Sequence, residues 1–123
     1  LTLEDKVNDK KESVELPRFL FVTCMSHRYE GGGFMFCPPA VDHDGVLDLC
    51  SIGNISKGLV LLALPTAFFG KHYFVKGINA HTATQMSITA SAPLWVHTDG
   101  EVTRKSRSFR VECLPGAIRM ITP

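Results

Sequence analysis

The stretch Leu94-Trp95-Val96-His97-Thr98-Asp99-Gly100-Glu101 runs from an apolar, strand-like segment directly into a pair of acids. On an extended backbone, residues i and i+2 point to the same face about 7 Å apart, so Asp99 and Glu101 would project together from a strand end. Gly100 between them has no side chain, which lets a ligand or another backbone approach closely. Paired carboxylates at a strand tip suit proton transfer or magnesium chemistry. Asp-Gly is also a favoured hairpin-turn dipeptide, and the same letters describe a solvated turn without chemistry. Both readings stand at this point.

Outward from that stretch the chain reads mostly as strands. Residues 78–90, 94–98, 108–114 and 117–121 are strand-like, with Pro115-Gly116 as a tight turn between the last two. Upstream, 18–25 is rich in Phe, Val and Leu and reads as a buried strand. Gly31-Gly32-Gly33 punctuates the chain and leads into a short strand over 34–37, stopped by Pro38-Pro39. Ala40-Val41-Asp42-His43-Asp44-Gly45 is a polar loop that empties into a strand over 46–52. Ser56 is a good N-cap for a helix over 57–64. Pro65 ends that helix or opens a second short one, Gly70 stops it, and Lys71 and His72 suit a helix C-terminus. The charged segment 1–15 holds Asn8-Asp9 as a turn between two short strands. Roughly seven to nine strands with one helical interruption predict a mainly β fold, an antiparallel β-sandwich or barrel-like domain whose helix packs at an end.

Composition narrows the function classes. At 123 residues the chain makes one domain, and its net charge of +1 carries no basic stripe of the kind a nucleic-acid module shows. Arg104, Lys105, Arg107 and Arg110 form the one basic cluster, which reads as the solvated side of a strand. No apolar segment approaches the ~20 residues needed to cross a bilayer. No secretory signal opens the chain, which starts at Leu1 rather than Met, so an upstream part is expected. Cys24, Cys37, Cys50 and Cys113 are widely spaced and lie in or beside apolar runs, as buried free thiols do, which fits a reducing compartment. His27, His43, His72, His81 and His97 show neither helical pairing nor zinc spacing.

Taken in order, Gly31-Gly32-Gly33-Phe34, Pro39-Ala40, Asp44-Gly45-Val46-Leu47-Asp48, the helix from Ile55-Ser56-Lys57 to Leu64-Pro65, Gly70-Lys71-His72, Asp99-Gly100-Glu101 and Leu114-Pro115-Gly116-Ala117 cover nearly the whole chain. In that order they resemble the C-terminal domain of the soluble bacterial lipid kinases, the family of diacylglycerol kinases related to sphingosine and ceramide kinases. The resemblance implies that 1–123 is the lipid-facing β-sandwich of a two-domain enzyme that uses ATP and magnesium to phosphorylate a lipid hydroxyl such as that of diacylglycerol. Its N-terminal α/β domain carries a Gly-Gly-Asp-Gly nucleotide motif, and this chain has none. Gly31-Gly32-Gly33-Phe34 lacks the acid and opens no helix. The chain alone is therefore expected to be inactive.

The same resemblance makes Asp99 the general base and Glu101 the holder of the magnesium-bound water network, with the two roles interchangeable. It places a magnesium ion on Asp44 through its carboxylate and the main-chain carbonyls of Val41 and Val46. His43 stands where the family often has an acid. The alternative for Asp44 is an Asp-Gly turn whose carboxylate bonds its own backbone. Asp48, inside the strand, reads as structural. His97 would share a face with Asp99 and Glu101. Phe68, Phe69, Tyr73 and Phe74 read as core. A sharper reading lets Leu61, Leu64, Phe68 and Phe69 line an acyl-chain cleft or a membrane-contact patch. The expected partners are a lipid substrate, the N-terminal nucleotide-binding domain, peripheral membrane contact at a cytoplasmic location, and a second copy paired through an exposed edge. No nucleic acid is expected. The alternative function is a non-catalytic β-sandwich that binds a lipid or a partner. A glycosidase reading is poor, because neighbours on one strand face rarely straddle a sugar.

Overall fold

Strand β4 (Leu47–Gly53) has six of its seven residues buried, on both of its faces. A strand of that kind needs cover on two sides, and the rest of the fold supplies it. The computed structural model describes residues 2–5, 10–15 and 18–118. Within them β3 (Phe19–Met25) and β5 (Ile78–Ala83) flank β4 antiparallel, giving a three-stranded sheet in the order β3-β4-β5. The second sheet is built from β1 (Thr2–Asp5), β2 (Lys10–Ser13), β6 (Gln85–Thr98) and β7 (Glu101–Glu112), in the order β2-β1-β6-β7. Every pairing is antiparallel.

Alternation along β4 divides the interior in two. Leu47 and Leu49 pack with Ala83 and Met86, and Val22, Cys24, Val111 and Cys113 close around them between the sheets. Cys50 and Ile52 point the other way, into a cluster with Met25, Cys37, Ala40, Ile78 and Ala63. Ala63 belongs to helix α1 (Lys57–Ala67), so the helix covers a face of the three-stranded sheet rather than an end of the sandwich. The expected antiparallel β-sandwich with one helical insertion is the observed architecture.

Several boundaries differ from the expectation, each for a local reason. Residues 34–37 form no strand, only a bridge between Glu30 and Phe34. Their backbone groups are taken elsewhere: Met35 N–H donates to the Ala67 carbonyl at the helix end (2.9 Å), and Phe36 O accepts from Tyr73 Oη (2.7 Å). The helix runs through Pro65 to Ala67 instead of ending at 64. A proline this close to the helix end removes one bond of the last turn, and Thr66 Oγ1 there donates to the Ala63 carbonyl (2.6 Å). At the start, Ser56 Oγ accepts from Leu59 N–H (3.2 Å), the expected cap.

The run over 78–90 is not one strand. It breaks at Thr84, where the chain leaves the β4 sheet for the other one. β6 then absorbs residues 90–93 as an irregularity and continues to Thr98, so two expected strands merge. The expected turn at Asn8-Asp9 and most of the expected strand over 117–121 lie outside the described residues.

Beyond Ser87, β6 loses β1 and keeps β7 as its one neighbour among the described strands. The distal part of β6–β7 is therefore a two-stranded arm, most of its residues exposed, with the acid pair at its end. Met86 is 0% exposed at the junction of the two sheets, whereas Leu62 on the helix is 73% exposed. Met86→Ala is expected to lower unfolding free energy by about 2–5 kcal/mol. Leu62→Ala is expected to change it by less than about 0.5 kcal/mol in the chain alone. Urea denaturation monitored by circular dichroism checks both.

Candidate functional site

At the arm's end Thr98 pairs with Glu101, and the two residues between them turn the chain. Asp99 has φ +48° and Gly100 φ +83°, the two positive values that define a type I′ hairpin loop. Asp99 is the one non-glycine residue with positive φ among those described, and Asp tolerates that region better than most residues. This corrects the geometry expected of the pair. Asp99 and Glu101 do not alternate along one extended strand; the chain reverses between them, with Asp99 in the turn and Glu101 as the first residue of β7. His97 does not share their alternation either, since the register shifts between Val96 and His97 and the strand ends at Thr98. All three side chains are exposed, so the tip is open to whatever approaches it.

Behind the tip, Lys105 Nζ stands 4.3 Å from the centroid of the Trp95 ring on the paired strand. The pair sits on the arm that carries the acids, and Trp95 is largely exposed. Residue types alone gave no hint of it; the cross-strand register does.

The Asp44 loop is a second feature, at the other end of β7's course. Asp44 Oδ1 accepts the Val46 amide (2.9 Å), so the self-bonded turn is present. That contact uses one oxygen, and Asp44 remains exposed. His43 Nδ1 lies 2.7 Å from Asp42 Oδ1, so the histidine engages Asp42 and holds that carboxyl below its usual range. Burial, and then the charge of Asp44, pushes the Asp48 carboxyl up. Among the described residues no three His, Cys, Asp or Glu side chains gather into a metal cluster. An ion here would draw on one carboxylate, main-chain carbonyls such as those of Val41 and Val46, and water. That all-oxygen set is chemically suited to magnesium.

The third feature is α1 itself. Its alanines at 63 and 67 face inward, where small side chains allow close approach. Leu59, Leu61, Leu62 and Leu64 face outward, and Phe68, Phe69 and Phe74 (89% exposed) extend the apolar surface. A helix apolar all round is normally buried, and this one is covered on one side only. The expectation that Phe68, Phe69 and Phe74 are core is not met; Tyr73 alone of that cluster turns inward. No helix among the described residues is long and apolar enough to cross a membrane.

Beneath α1 lies a cluster that spacing did not reveal. His72, 2% exposed, directs Nε2 at Phe36 O (3.1 Å) and Cys50 Sγ (3.8 Å). Burial, and then the nearby Cys50 thiol, pushes the Cys37 thiol up to about 12; burial likewise raises Cys50 and, foremost, Tyr73. Cys24, between the sheets, is pushed up to about 11 by burial, then by Asp48. The four thiols are free, and those at 37 and 50 are fully buried. The raised pKa values of Cys24, Cys37 and Cys50 make these three inert packing groups.

These elements define an antiparallel β-sandwich with one helix on a sheet face, an apolar outer surface and an acid-tipped arm. The chain belongs to the YegS C-terminal NAD kinase beta sandwich-like domain family, whose model matches residues 5–122. It is 34% identical over 98 residues to a probable lipid kinase YegS-like of Xanthomonas euvesicatoria pv. vesicatoria, covering 78% of this chain and 31% of that protein. The corresponding proteins of Stenotrophomonas maltophilia and Yersinia enterocolitica are 29% and 32% identical over 97 and 96 residues, with the same coverage. The chain thus spans about a third of the length of the curated relatives it matches, each of which is named a probable lipid kinase.

His72 gives a pH test. Burial holds its imidazole below 6.5 in the folded chain, so the native state resists a proton that the unfolded state accepts. Its contribution is fully present above 6.5 and is lost as pH falls below that value. The melting temperature should therefore drop as pH falls below about 6.5, and the slope should flatten in His72→Gln, as measured by calorimetry.

Proposed function

We propose that this chain is the lipid-facing half of an ATP-dependent kinase that phosphorylates a lipid hydroxyl such as that of diacylglycerol. The observation that carries the lipid part is the uncovered outer surface of α1, with Leu61, Leu62 and Phe69 among the most exposed apolar residues. Apolar surface of this extent marks a contact with lipid or a partner. Acyl chains, or the surface of the membrane that delivers them, match it chemically. Lys57 and Lys71 flank the helix, and the sequence holds no acid from Leu49 to Thr98, so the helix itself brings cations and no carboxylate to an anionic headgroup layer. Peripheral attachment at the cytoplasmic face of a membrane is the setting this reading implies.

Phosphoryl transfer asks the protein chiefly to place reactants and stabilise charge. In this reading the lipid oxygen bonds to the γ-phosphorus, the bond to ADP breaks, and Asp99 takes the hydroxyl proton as the new bond forms. Glu101, beginning β7 beside the turn, orders water near the phosphates; the two acids can exchange these roles. Magnesium, when bound, offsets the phosphate charge. Asp44 would hold a separate ion with the Val41 and Val46 carbonyls. The nucleotide would sit mainly on an N-terminal domain, and the open tip of the arm is where such a domain can close.

Asp99→Asn isolates the chemistry from the fold, because Asn-Gly suits a type I′ loop as well as Asp-Gly does. In the full-length kinase that contains this chain, Asp99→Asn should lower turnover of diacylglycerol in mixed micelles about 10²–10⁴-fold with an unchanged melting temperature. Near-normal turnover would remove Asp99 from the mechanism. The 123-residue chain alone, given ATP and magnesium, should transfer no phosphate. Leu61→Asp with Phe69→Asp should abolish its co-sedimentation with phosphatidylglycerol vesicles. Retained binding would detach α1 from the lipid reading.

A further inference from the structure

Two sequence motifs that were read separately meet in the fold. Past β7, Cys113 N–H donates to the Thr84 carbonyl (3.0 Å), and the chain enters a turn closed by Ala117 N–H on the Leu114 carbonyl (3.3 Å). Pro115 occupies the second position of that turn and Gly116, at φ +68°, the third, the arrangement of a type II turn. The proline ring lies over Gly45: a Cβ built on that glycine would stand 3.1 Å from Pro115 Cγ and 3.6 Å from Pro115 Cβ. Gly45 has φ +76° and separates Asp44 from Val46, whose amide Asp44 Oδ1 accepts. The conformation of these three residues sets the direction of the Asp44 carboxylate, and the middle one sits under a rigid ring.

We infer that Pro115 is a positioning residue for Asp44. One exposed hydrogen bond holds an Asx turn only weakly. Packing of the proline ring on Gly45 removes the competing backbone arrangements and keeps the carboxylate's second oxygen in a fixed direction. A ligand already set in place loses less freedom when it takes up a hard cation. The inference rests on the reading of Asp44 as a magnesium ligand for its purpose, but the buttress itself is a property of the turn. It also gives the Leu114-Pro115-Gly116-Ala117 motif a role: β7 begins at the acid-tipped turn and, past its far end, delivers the support for the other candidate site.

Amide exchange in the 15N-labelled 123-residue chain tests it. Pro115→Ala should speed exchange at Val46 about tenfold while Leu49 and Ser51 in β4 stay within about twofold of wild type. Pro115→Val, which restores bulk over Gly45, should return Val46 close to the wild-type rate. Unchanged exchange at Val46 in Pro115→Ala overturns the inference. So does a parallel rise at Val46, Leu49 and Ser51, which would make Pro115 an ordinary stabilising residue. If Pro115→Ala fails to fold, fast exchange at Val46 alone in Pro115→Val does the same. Titration with magnesium chloride separates the two readings: a wild-type chain with no magnesium-dependent shift at Gly45 or Val46 sinks the ion at Asp44, and the exchange rates still decide the buttress.

Discussion

The burial of β4 on both faces is the constraint from which the remaining architecture follows. A strand whose Leu47 and Leu49 look one way and Cys50 and Ile52 the other cannot sit at a surface, so one layer must lie on each side. The four-stranded sheet supplies one layer. Helix α1, with the 34–40 segment beneath it, supplies the second, and it does so through alanines. That choice has a cost in composition: with small residues turned inward, the leucines are left outside. The apolar outer surface is thus the reverse side of a helix whose inward contacts are made by alanines, as well as a candidate lipid contact.

Much of this was legible in residue order. Ser56 marked the helix start because its hydroxyl can take an orphan amide, and Leu59 N–H is where it does so. Val46 to Ile52 announced a strand by its mostly apolar residues, and its burial on both faces came only with the fold. What misled was context that local pattern cannot carry. Phe34 to Cys37 has strand-like residues, yet Tyr73, thirty-seven positions on from Phe36 by sequence separation, takes the carbonyl that a ladder would need. The run from Ile78 to Ala90 gives no sign that Thr84 is a corner between sheets.

The candidate sites show the same division. Asp-Gly supported two readings, a strand-borne acid pair and a hairpin loop, and the backbone at Asp99 and Gly100 is a loop. A turn residue can still do chemistry, and an exposed turn at the end of an arm is reachable from outside the domain. Trp95 with Lys105, and Pro115 with Gly45, depend on register and on long-range packing, so no spacing rule would have joined them. His72 looked like a C-terminal helix cation and is instead a neutral imidazole enclosed by the core, because the 3₁₀ turn His72–Phe74 carries it inward.

The arm's outer edge has a further consequence. β7 ends its sheet with Arg104, Lys105, Arg107 and Arg110 along a strand that has no neighbour beyond it among those described. Two such borders brought together would set cation against cation, which discourages the stacking of copies into fibrils. On the opposite border, the irregular 90–93 segment with Pro93 interrupts the ladder that a passing strand would need. A ribbon this long can stand naked in water because both of its margins are poor templates, and it is left free for a partner that reads charge or shape instead of backbone.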